Sequence, residues 1–102
     1  MKEVWIGLTQ VSKANECQMD FWDGAGAFVW WATQAYSEEE FLRKLRSTLE
    51  HYKLVLFEVE QVRRFEDSGE SAEEIHEIVK RAEENENWTL YGTFHTFPYH
   101  EA

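Results

Sequence analysis

The sequence predicts an α+β fold: a two-layer sandwich in which a four-stranded sheet carries two helices on one face, in the order β-β-α-β-α-β. Three observations predict it. Four segments alternate apolar and polar residues with the two-residue period of a strand. Two others repeat apolar residues at three- and four-residue spacing, each opened by a serine with a glutamate three places on. The chain is 102 residues long with 43% apolar residues, enough for one core and not for two, so 1–102 reads as a single domain.

The first strand is "EVWIGLTQV", residues 3–11, with Val4, Ile6 and Leu8 on one face and Trp5, Gly7 and Thr9 on the other. Residues 12–26, "SKANECQMDFWDGAG", form a polar, glycine-rich connection containing Phe21 and Trp22, with "DGAG" as a turn signal. The second strand, 27–35, sets Phe28, Trp30 and Ala32 against Val29, Trp31 and Thr33. Ser37 and Glu40 then make a capping box, Glu38 and Glu39 suit the positive end of a helix, and Phe41, Leu42, Leu45, Leu49 and Tyr52 form its apolar stripe over about 37–51. "KLVLFEVEQVRRF" is a third strand. Ser71 and Glu74 repeat the capping spacing ahead of a second stripe, Ile75, Ile78, Val79 and Ala82, stopped at "ENEN". "WTLYGTFHTF" is the last strand, ended by Pro98.

Two adjacent tryptophans, Trp30 and Trp31, cannot enter the same one-sided core, because neighbours on a strand point to opposite faces. With both helices on one face, the other presents Trp5, Trp31, Tyr91, His95 and Phe97, together with Thr9, Val29 and Thr33. That is more apolar surface than a monomer ordinarily exposes. Three covers are open: the 12–26 connection with Phe21 and Trp22 folded over the sheet, a second copy in a sheet-to-sheet homodimer, or a bound protein or small ligand.

The formal charge is −10, which opposes nucleic-acid binding and suits a basic partner. Residues 66–86 hold nine acids against Lys80 and Arg81, so most of the excess sits in the second helix and its approach. "MKEVWIGLTQVSK" lacks the apolar run of a signal peptide, no segment resembles a membrane span, and Cys17 is the only cysteine. A cytoplasmic location is therefore expected.

Chemistry finds little support. His95 and His100 flank a proline, His51 stands apart from the others, and His76 lies on an acidic helix, so no metal spacing occurs. Cys17 adjoins Glu16, which would raise its pKa. Glu58 and Glu60 share a strand face as a carboxylate pair without substrate-binding company. No nucleophile elbow, phosphate loop or dinucleotide fingerprint is present, and no catalytic residue, metal or cofactor is assigned.

The stretch "AFVWWATQAYSEEEFLRKLRSTLEHYKLVLFEVEQV", residues 27–62, resembles small bacterial α+β proteins of unassigned activity. It is also similar to what several small acidic immunity or antitoxin proteins contain. The likeness covers about a third of the chain and transfers no functional residue.

The resulting expectation is a non-enzymatic protein-interaction domain that inhibits or binds a basic partner. Glu73, Glu74 and Glu77 would steer the encounter and the aromatic sheet face would supply affinity. Two alternatives stand beside it. One is a small-molecule binder or enzyme with Trp31, Tyr91 and His95 in a pocket between the sheet and the 12–26 loop; the other is a homodimeric structural module.

Overall fold

The computed structural model describes residues 2–13, 26–92 and 95–97, with the backbone alone at 13 and 95–97. Strand β1 (Glu3–Lys13) pairs antiparallel with β2 (Gly26–Ala35), helix α1 (Glu38–Tyr52) leads to strand β3 (Leu54–Arg64), and a single turn α2 (Phe65–Ser68) precedes helix α3 (Glu73–Glu84). The last strand is split into β4 (Thr89–Tyr91) and β5 (His95–Phe97), both paired with β2. The sheet is antiparallel throughout, in the order β3-β1-β2 and then the split strand. The α+β class, the four-stranded sheet with helices packed on it and the order β-β-α-β-α-β are as the sequence predicts.

The layering differs. Helix α1 buries Phe41, Leu45 and Leu49 against Val11, Ala27, Val29, Trp31 and Ala35. Helix α3 buries Ile75, Ile78, Val79 and Ala82 against Ile6 and Ala32, with Val4, Trp30 and Leu90 packed alongside. The first set uses the odd-numbered positions of β1 and β2, the second the even-numbered ones. Alternation along a strand therefore puts the two helices on opposite faces. The expectation of both helices on one face is corrected to one helix on each. Strand β2 is apolar at both parities because it is central and covered twice.

This answers the tandem tryptophans. Trp31 is fully buried beneath α1, and Trp30 lies half-buried beneath α3. A buried indole N–H needs a partner. Trp31 Nε1 donates to Thr9 Oγ1 at 2.9 Å, and Thr9 Oγ1 in turn donates to the Val29 carbonyl at 3.1 Å. Beside them Gly7 admits the Phe41 ring: a Cβ there would stand 2.9 Å from Phe41 Cε2.

Gln34, near the end of β2, holds both helices. Its carbonyl accepts from Lys44 Nζ of α1 at 2.6 Å, while its side-chain amide donates to the Ala82 and Glu83 carbonyls at 2.9 and 3.2 Å. Both carbonyls lie in the last turn of α3, where the Ala82 carbonyl also accepts from the Asn85 N–H at 3.3 Å. Burial holds the Lys44 ammonium below its ordinary pKa.

The caps divide. Ser37 Oγ caps α1 by accepting from Glu40 N at 3.2 Å, and Glu40 Oε1 accepts from Tyr36 N at 2.7 Å rather than from Ser37 N, so the first box forms with its return bond displaced by one residue. The second does not: α3 begins after Ala72, without a side-chain cap. Ser71 lies one residue too early to reach the free N–H groups of the first turn.

Candidate functional site

Strand β3 is an edge strand with two bulges. Its register against β1 shifts between Ile6 and Leu8, opposite Gln61, and again between Gln10 and Val11, opposite Phe57. Gln61 adopts φ 55°, the left-handed conformation that a bulge of this kind accommodates. Without the bulges, strict alternation would bring Glu58 and Glu60 to the face of Leu54 and Leu56, in the α1 core. With them, Leu56 and Val59 stay against α1, and Glu58 and Glu60 stand opposite Gln10 and Leu8 on the α3 side.

Helix α3 covers only part of that side, over Val4, Ile6, Trp30 and Ala32. The remainder carries Leu8, Gln10 and Ser12 of β1, Phe28 of β2, and Val55, Glu58 and Glu60 of β3. Phe28 is 40% exposed, Val55 42% and Phe57, in the bulge, 63%. This half carries the Glu58 and Glu60 carboxylates, and Arg63, opposite Ile6 and next to Glu60 on the same side, is paired with Glu70 at 3.2 Å.

The acids of α3 adjoin it. Glu73 and Glu77 lie one turn apart and exposed, and Glu77 pairs with Arg81 at 3.4 Å. An exposed i,i+4 pair of this sort contributes only about 0.3–0.5 kcal/mol. Glu74 turns inward, close enough that a Cβ added to Gly92 would meet its carboxylate at 3.6 Å. The three predicted acids thus share a helix but not one surface.

The predicted aromatic face is not an open face. Trp31 is buried under α1, and Trp5 packs half-buried against the same core, where its indole N–H finds no acceptor among the described residues. Tyr91 registers opposite Trp31, but His95 registers opposite Phe28 and Phe97 opposite Gly26. The break between β4 and β5 inserts one residue, so the register of His95 and Phe97 is out of step with that of Tyr91. Phe21, Trp22, Cys17 and His100 lie outside the described residues, and so does the cover expected from the 12–26 connection.

On the α1 side an open cleft of about 800 Å³ runs between the outer turns of α1 and strand β4. Tyr52 and Tyr91 meet at 5.9 Å with nearly perpendicular rings, and Tyr91 rests on buried Trp31 at 5.6 Å. Trp88 is 57% exposed at its mouth while its carbonyl accepts from Thr33 Oγ1 at 2.9 Å. Among the described residues, Arg81 and His51 are the ionisable groups of the lining besides the tyrosines, and no carboxylate lines it. Neither Trp88 nor Arg81 shows a motif in the sequence; the turn at 85–88 brings them together.

Elsewhere Arg64 sits among Glu3, Glu66 and Asp67, and the hydrogen bonds it donates to Asp67 and Glu3 hold its guanidinium above its ordinary pKa. Glu3 raises the Glu66 carboxyl. Among the described residues no cluster of three or more metal-ligating side chains occurs, and no helix is long and apolar enough to cross a membrane. No family model, curated protein or solved structure matches the chain significantly, so the reading of function rests on these surfaces alone.

Proposed function

We propose that the chain is a non-enzymatic, cytoplasmic interaction domain that binds a basic protein through the part of the sheet that α3 leaves uncovered. The supporting observation is the juxtaposition of Phe28 and Val55, each at least 40% exposed, with Glu58 and Glu60 on the face that also carries the acidic helix. Apolar side chains supply affinity once desolvated, and a ring of one charge steers an oppositely charged partner. Self-association over the same patch brings Glu58 and Glu60 near their own copies, which like-charge repulsion disfavours.

The test is retention of native-lysate proteins on the immobilised chain, eluted by stepwise salt, with the mass of the free chain measured by light scattering. A basic protein released at moderate salt and a monomeric free chain are expected. Retention of nothing above background, or a dimer that retains nothing, contradicts the proposal.

A further inference from the structure

The cleft lies along the β4 edge of the sheet, mainly on the α1 side with Arg81 reaching it from α3, and its chemistry differs from that of the proposed protein-binding surface. Its aromatic wall is seated from below. The Trp31 indole is fixed by its hydrogen bond to Thr9, Tyr91 packs on Trp31, and Tyr52 packs edge-on against Tyr91. Such a wall is held in place before any ligand arrives, which lowers the ordering entropy of binding. The Trp88 backbone is fixed through its carbonyl, so the exposed indole is carried on an anchored turn. Exposed tryptophan beside two tyrosines offers flat apolar faces for a ring to stack on.

The polar groups select among rings. In a chain of formal charge −10, the described lining contains Arg81 and His51 and no acid. Among the described residues Arg81 is held by Glu77 alone, at 3.4 Å, with both side chains 63% exposed, so its guanidinium is available to a second carboxylate. A planar guanidinium fits a carboxylate with two parallel hydrogen bonds. Glu77 is the near acid and competes for the guanidinium, but an exposed pair of this kind is weak, and charge farther off is screened beyond about 8 Å at physiological ionic strength. We infer that the cleft is a binding site for a small aromatic carboxylate, its ring stacked among Trp88, Tyr91 and Tyr52 and its carboxylate on Arg81.

Three matched probes test it on the full chain: 4-hydroxyphenylacetate, its amide and tyramine, which share a ring and differ in charge. Each is titrated into ¹⁵N-labelled protein while the indole N–H resonance of Trp88, assigned through Trp88→Phe, is followed. The carboxylate is expected to shift this resonance saturably and to bind roughly tenfold more tightly than the amide, as one charge-assisted hydrogen-bonded pair implies. Tyramine is expected to bind more weakly than either. Arg81→Gln, on an exposed side chain, should leave the spectrum folded and bring carboxylate and amide within about twofold of each other. Absence of a saturable shift, preference for tyramine, or a carboxylate preference that survives Arg81→Gln overturns the assignment.

Discussion

Trp30 and Trp31 are neighbours in sequence and share no environment. The sequence made plain that they must part, yet not where each goes, because a strand pattern does not say which face a helix will cover. An apolar residue at every position from Ala27 to Ala32 was the legible sign of cover on both sides. The Thr9–Trp31 bond gives the sharpest residue-scale prediction. Thr9→Val keeps the shape but strands a buried indole N–H, and should lower stability by about 1–3 kcal/mol in urea unfolding. Thr9→Val with Trp31→Phe should lose less than the sum of the two single changes, since no donor is then left unpaired. Additive losses would remove this hydrogen bond from the explanation. Gly7→Ala presses a methyl into the Phe41 ring and should destabilise by about 1–3 kcal/mol.

At the scale of elements, the two serine–glutamate spacings look alike and behave differently. Ser37→Ala should cost about 1 kcal/mol, whereas Ser71→Ala should stay within about 0.5 kcal/mol, both by thermal or urea unfolding. The difference was hidden because a capping box depends on where the helix begins, and Ala72 rather than Ser71 precedes α3. The bulges of β3 were hidden for a related reason: Gln61 carries no glycine-like mark of its left-handed backbone. Glu58 and Glu60 were nonetheless legible as a pair on one face, and the register keeps them so. The Glu40 carboxyl is held below its ordinary pKa, chiefly by the Tyr36 N–H. A lowered folded pKa contributes stability that is present above the ordinary carboxylate range and lost as the pH falls through the folded value. Glu40→Gln should therefore flatten the acid limb of the stability profile as the pH falls through and below the ordinary carboxylate range, as followed by circular dichroism. An unchanged limb would mean that this bond does not persist in solution. Glu66, raised by Glu3, carries the opposite sign: its contribution is present below the ordinary range and lost as the pH rises.

At the scale of the molecule, two helices on opposite faces leave a cleft beside β4 on one side and an uncovered part of the sheet on the other. The element types, their order and both helical stripes could be read from periodicity, since local pattern fixes local structure. The strand order, the faces taken by the helices and the cleft at Trp88 depend on long-range packing that no single segment encodes. The aromatic surface anticipated for a partner is largely core or out of register, and the exposed apolar residues stand instead on the α3 side, beside acids. The most direct measurement compares lysate retention by two charge-matched variants. One is Glu58→Lys with Glu60→Lys, on the proposed surface. The other is Glu50→Lys with Glu84→Lys, at exposed helix C-terminal positions where a base suits the dipole. Loss of the basic protein by the first variant and its retention by the second is the expected result. Equal loss by both would reduce the interaction to net charge, and equal retention would contradict the surface assigned here.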